Sequence, residues 1–209
     1  MLARLHGQSS RQMPGLIAHL LGDAVLGMVG RPAPADAAYY RDKLICVSRD
    51  QGWLIYQMCR ALGARRVVEF GTSYGVSTLY LAAAVRDNGG GTVIGSEIEP
   101  SKAERARAHL AEAGLEAVVE IREGDALQTL ADCGGPVDFL LVDGFPKLAR
   151  AIIEVMAPQL RAGAMVVCDN VGHFPKDFAS YLDYVRKPAN GFTSTLVSLR
   201  SGTEVSVRT

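Results

Sequence analysis

Two short apolar runs end in carboxylates: DFLLVD closes on Asp143, and AMVVCD closes on Asp169 with Asn170 directly after it. An acid at the end of a buried apolar strand is partly desolvated, which costs several kcal/mol unless a cation or a cationic ligand compensates. Two carboxylates and one amide oxygen make a hard, all-oxygen donor set suited to Mg²⁺, Mn²⁺ or Ca²⁺, with positions left for water and substrate. No Cys/His cluster accompanies them, which speaks against zinc. Alternatively, Asp169 and Asn170 open a turn and cap the next helix. That reading accounts for Asp169 but not for the matching position of Asp143.

A second group of residues lies upstream. In VVEFGTSYGVSTLYLA an apolar run enters Gly71-Thr-Ser-Tyr-Gly75 and leaves as a helix pattern. Glycines at such a turn let a ligand approach the backbone, and the following helix start offers free N–H groups, although any α/β protein can carry such a turn for packing alone. The spacing is not the dinucleotide G-x-G-x-x-G, and Glu69 stands two residues before the first glycine, so the turn suits a cationic ligand better than a pyrophosphate. The run TVIGSE ends in Glu97, where an acid can accept from both hydroxyls of a ribose or stand solvated at a strand end. Gly124-Asp125-Ala126 closes another run, with Asp125 equally suited to cap the helix that follows.

The elements that must position these residues follow from periodicity. From Arg65 onward RVVEF, TVIGSE, AVVEIR, DFLLVD and AMVVCD alternate with helical patterns such as STLYLAAAVR, SKAERARAHLAEAG and KLARAIIEVMAPQL. Strand then helix, repeated, predicts parallel strands with right-handed crossovers, and FLLV and MVVC have no polar alternation, as in strands covered on both faces. FTSTLVSLR, SGTE and VSVRT predict a C-terminal antiparallel hairpin. Residues 13–29 read as an amphipathic helix broken by RPAPADAA, and DQGWLIYQMCRALG as a second helix with Asp50 as its cap and Gly63 as its end. The expectation is a single domain over 1–209, with an N-terminal helical cap over 1–63 and a doubly wound α/β core over 64–209.

Composition narrows the partners. At 209 residues and 48% apolar content, the chain can bury roughly 70% of its unfolded surface in one core. The 22 Lys and Arg balance 22 Asp and Glu without long like-charge runs, so neither nucleic acid nor a membrane surface is an expected partner, and a small-molecule substrate is. Cys46, Cys59, Cys133 and Cys168 show no CxxC spacing, which fits a reducing compartment. With no signal-peptide pattern and no 18-residue apolar run, a cytoplasmic location is expected. The apolar first helix, with leucines and Met28 beyond what one sheet face needs, gives the expectation of a homodimer.

The series VVEFGTSYGVS, GSEIEPSKAERA, REGDA, LLVDGFPK and VVCDNV resembles the cation-dependent O-methyltransferases, the group of catechol and caffeoyl-CoA O-methyltransferases, over about residues 45–171 in one order and spacing. The resemblance implies a Rossmann-like fold with a mostly parallel seven-stranded sheet, S-adenosyl-L-methionine as cofactor and a divalent cation. It implies that Glu69, Gly71, Ser73, Gly75 and Ser77 surround the methionine part of the cofactor, that Glu97 holds the ribose, and that Asp125 and Ala126 lie near the adenine. Val47 and Ser48 match a stretch closing over the cofactor, and Asp143, beside the cofactor, joins Asp169 and Asn170 as metal ligands. The family's lysine three residues after the first metal aspartate is Pro146 here. Lys147 follows it and becomes the candidate base, with His173 a second choice. The insertion after the Asp-Asn pair is short, and Phe174, Tyr181 and Tyr184 line a pocket or belong to the core. The implied reaction moves a methyl group to one hydroxyl of a catechol-like or vicinal-diol acceptor. Two other readings keep the fold: a metal-independent methyltransferase acting on nitrogen or an isolated hydroxyl, and a cofactor-binding protein without turnover. A nicotinamide dehydrogenase is disfavoured by the missing third glycine.

Overall fold

The computed structural model describes residues 1–28, 40–200 and 202–209 and resolves them into two compact units, Met1–Cys46 and Val47–Thr209. In the first unit, helix α1 spans Leu2–Met28 and carries Pro14 inside it. The three- and four-residue apolar spacing placed the start at residue 13; instead the helix begins eleven positions upstream and accommodates Pro14 in its interior. The backbone N–H of Leu44 donates to Gln12 Oε1 at 2.8 Å, tying the end of this unit to α1. RPAPADAA, residue 29 and the side chains toward Met28 invoked for a dimer face lie outside the described residues.

The second unit is a seven-stranded sheet flanked by helices. Its elements are α2 (Arg49–Leu62), β1 (Arg66–Phe70), α3 (Val76–Asp87), β2 (Thr92–Glu97), α4 (Pro100–Glu112), β3 (Val119–Glu123), α5 (Ala126–Thr129), β4 (Val137–Val142), α6 (Ala149–Met156), β5 (Leu160–Cys168), α7 (Pro175–Val185), β6 (Phe192–Val197) and β7 (Thr203–Arg208). The strand order is β3-β2-β1-β4-β5-β7-β6, parallel through β5 and antiparallel for the hairpin, with β7 inserted between β5 and β6. Order reverses at β1, which puts the ends of β1 and β4 beside the crevice where such sheets bind ligands. The doubly wound fold, the parallel order and the hairpin are those the sequence predicts. Helix α2, assigned from sequence to the N-terminal cap, falls in the same unit as the sheet.

Both faces of the sheet are covered, as the unbroken apolar strands require. One parity of strand residues (Val68, Phe70, Leu140, Val142, Val166) packs with Ile152, Ile153 and Met156 of α6 and with Phe178 and Tyr181 of α7. The other parity contains Val67, Glu69, Phe139 and Leu141, all buried, and Glu69 bonds to Thr78 of α3. Helix α2 lies against α3, where Trp53 meets Tyr80 edge-on with ring centroids 5.9 Å apart. Cys59, Cys133 and Cys168 are buried, and no cysteine is in a disulfide. Among the described residues no helix is long and apolar enough to cross a membrane.

The hairpin is held by a buried charge. Glu204 of β7, inaccessible to solvent, accepts from Arg186 of α7 through both oxygens at 2.7 Å and from Ser194 of β6 at 2.6 Å. Burial alone would push its carboxyl up, but the Arg186 guanidinium and the Ser194 hydroxyl outweigh burial and hold it below the ordinary 4.5. A depressed folded pKa means the stabilisation is present above the unfolded value and is lost as pH falls through the folded one. Glu204→Gln is therefore expected to cost about 1–3 kcal/mol at pH 7, discounted because Arg186 is half exposed. The variant should also lack part of the wild-type loss of stability below pH 4.5; urea melts at pH 7 and pH 3.5 measure both.

Candidate active site

The turn after β1 runs through Gly71 (φ +96°), Ser73 (φ +49°) and Gly75 (φ +78°). A Cβ on Gly71 would sit 2.7 Å from the backbone of Asp143 and Gly144, so this glycine is required for the close approach of the β1 and β4 ends. Gly75 serves as the N-cap of α3 and leaves that helix start without a side-chain cap. Glu69 is fully buried, and its Oε2 accepts from Thr72 at 3.0 Å and Thr78 at 2.5 Å. Its other oxygen, Oε1, has no protein partner, and the Ser73 hydroxyl is likewise buried without one. Burial pushes the Glu69 carboxyl up, against the bonds from its hydroxyl neighbours.

Glu97 reaches back to the same turn. Its oxygens accept from the backbone N–H of Ser73 at 2.7 Å and of Glu99 at 2.9 Å, and it is largely buried. Asp125 caps α5 by accepting from the Leu127 N–H at 2.9 Å, which is the structural role weighed for it, while Ala126 beside it is buried. Ser77 and Val47 are buried and Ser48 is half-buried. Ser48, not Asp50, caps α2, because Gln51 at the third helical position completes a capping box with it.

Asp143 and Asp169 follow neighbouring parallel strands whose last residues, Val142 and Cys168, are in register. Asn170 adopts the left-handed region (φ +64°), and its Nδ2 donates to Asp143 Oδ1 at 3.2 Å. Asp169 is 4% exposed, and its Oδ1 accepts from Gln51 Nε2 at 2.5 Å and, over a longer 3.4 Å, from Thr203 Oγ1. Burial, then the charges of Asp169 and Glu69, raise the Asp143 carboxyl well above its ordinary value, opposed only by the Asn170 amide. The charges that act on Asp143 are thus those of two further acids. Two carboxylates and an amide are a donor set that fits a hard divalent cation. Among the described residues there is no grouping of three or more His, Cys, Asp or Glu suited to a metal.

The structure thus brings together Glu69, Gly71, Ser73, Gly75 and Glu97 at one turn, and Asp143, Asp169 and Asn170 at the strand ends beside it. Lys147 is exposed on the 3₁₀ turn Pro146–Leu148, and no bond joins it to the acidic pair. His173 is exposed and meets Phe174 edge-on. Tyr181 is wholly buried in the core, Phe174 packs against that core, and Tyr184 packs with Phe192 and under Arg150, so these aromatics serve packing. Sequence reading missed Gln51 and Thr203, which both donate to Asp169. A capping-box pattern was the one local signal for Gln51, and Thr203 carried none.

Residues 68–171 match the methyltransferase domain family. A catechol O-methyltransferase of Mycobacterium tuberculosis is 39% identical over 128 residues, covering 61% of this chain and 57% of that protein. A catechol O-methyltransferase of Niastella koreensis is 29% identical, covering 80% of this chain and 76% of that protein. The chain therefore spans less than two thirds of the first relative's length. Among solved structures, the O-methyltransferase TomG from Streptomyces achromogenes, crystallised with S-adenosylmethionine, superposes with a TM-score of 0.70 at 26% identity, covering 92% of this chain and 89% of that one. With the sheet order, the glycine turn and the acidic strand ends all in place, the chain carries a methyltransferase domain on a Rossmann-like sheet.

Proposed function

We propose that this protein is an S-adenosylmethionine-dependent O-methyltransferase acting on a small molecule with two neighbouring oxygens, assisted by a divalent cation. The observation that carries the reading is the pair of carboxylates Asp143 and Asp169, with the Asn170 amide, at neighbouring strand ends beside a glycine turn with buried Glu69 and Glu97. When bound, the cofactor supplies an electrophilic methyl on a sulfonium, and the cation lowers the pKa of the attacking hydroxyl.

The protein's own residues do the rest. Glu97 holds the ribose hydroxyls, Gly71, Ser73, Gly75 and Ser77 surround the methionine part, and Val47 and Ser48 close over the cofactor. Asp125 and Ala126 bound the adenine side. Glu69, with its unpartnered Oε1, places negative charge near the cofactor's cationic end. Asp143, Asp169 and Asn170 hold the cation, and the dry, preset crevice orients acceptor against methyl, where positioning contributes most of the rate. Lys147, which follows the Asp143 loop, is the candidate base for the acceptor proton.

One observation favours a second reading: Lys147 lies exposed and unconnected to the acidic pair, which suits metal-independent transfer to nitrogen or an isolated hydroxyl. The test is methyl transfer to a catechol panel with Mg²⁺ or Mn²⁺ against EDTA. Cation-stimulated product supports the leading reading, and activity undiminished by EDTA supports the second. S-adenosylhomocysteine at a hundredfold excess over its Kd is expected to stabilise the fold by about 2.7 kcal/mol, and NAD is expected not to; a thermal-shift comparison measures both.

A further inference from the structure

We propose that Gln51 is a positioning residue that orients Asp169 for the cation; the inference rests on the reading of the acidic cluster given above. At the start of α2 the Ser48 hydroxyl accepts from the Gln51 N–H at 3.3 Å, and Gln51 Oε1 accepts from the Ser48 N–H at 2.9 Å. A backbone N–H can only donate, so the amide oxygen must face Ser48 and Nε2 must face the other way. Asp169 Oδ1 lies there, at 2.5 Å. The amide's orientation is therefore dictated by its two partners.

The choice of residue type carries the argument further. A capping box needs only the acceptor at this position, and glutamate supplies it while also favouring the positive end of the helix dipole. Glutamine is what leaves a donor for Asp169. Both side chains are buried, at 5% and 4% exposure, and the bond spans 118 positions of chain. Thr203 Oγ1, from β7, approaches the same oxygen. Donors from two separate elements bear on one carboxylate oxygen, which fixes the plane of that carboxylate. Partners of this kind, bonded to a ligand and not to the ion, typically change metal affinity by about 10- to 100-fold when removed.

The test is Mn²⁺ titration followed by loss of the free-ion EPR signal, with no substrate or cofactor present. Gln51→Leu, which removes the donor on Asp169 without adding charge, is expected to weaken Mn²⁺ binding by at least about tenfold. Thr203→Val, which touches no cap, is expected to weaken binding severalfold and guards against misfolding of the Gln51 variant. Affinity for S-adenosylhomocysteine without metal should stay within about threefold of wild type throughout. Wild-type Mn²⁺ affinity in Gln51→Leu overturns the inference and assigns Gln51 to capping alone. A wild-type protein that binds no Mn²⁺ overturns the cation reading itself, which is a separate failure.

Discussion

Asp169→Asn is expected to lower cation-stimulated methyl transfer on the order of 10²–10³-fold at saturating cofactor. The substitution keeps the size of a buried side chain whose Oδ1 already accepts two hydrogen bonds, so the fold should survive. What it removes is one of two negative charges in register at the ends of β4 and β5. With Asp143 alone, the surplus that attracts a divalent ion is halved, and the ion should bind weakly and in more than one orientation. The residual rate should equal the wild-type rate in EDTA, since both report transfer without the ion. Steady-state kinetics against Mg²⁺ concentration checks this, with circular dichroism as the control for folding. A variant within threefold of wild type would sink the assignment of Asp169 as a cation ligand.

Gly71→Ala should produce a large loss of stability. The residue sits at φ +96°, and its new Cβ would lie 2.7 Å from Asp143 O and from the backbone of Gly144. Left-handed strain and backbone overlap each cost about 1–3 kcal/mol, so a total of about 2–6 kcal/mol is expected from urea melts. Neither neighbour is a flexible side-chain end that can swing away, so the strand ends themselves must move apart. Cofactor affinity and cation affinity should consequently fall together, although Gly71 contacts the proposed cation set only through the backbone of Asp143. Calorimetric titration of each ligand separates this joint loss from a defect confined to the turn.

Much of this architecture is readable from local pattern. Apolar runs without polar alternation announce buried strands, and a carboxylate at the end of each run announces where the crevice is, because the chain would not otherwise strand a charge there. Asp143 and Asp169 are legible for that reason. The hairpin is legible from its two β-rich runs and the turn between them. Contacts between distant positions are not: Gln51 and Asp169 are 118 residues apart, and nothing local to either names the other. The full extent of α1 is not legible either, because residues 2–12 mix Arg, His, Gly, Gln and Ser, and the apolar spacing starts only at residue 13. Lys147 illustrates a different limit. Spacing placed it near the acidic pair in the chain, but Pro146 opens a short 3₁₀ turn that leaves the lysine in solvent.

The hairpin's last strand also acts as a check on correct assembly. Thr203 and Glu204 are consecutive, so they point to opposite faces of the sheet, one to Asp169 and the other to Arg186. Pairing β7 one position out of step would exchange them and drive an unpaired carboxylate against Asp169 while leaving the arginine facing a threonine. Misaligned chains are thus rejected by charge repulsion where the crevice is built, and a protein that has finished its sheet has, by the same contact, finished its site.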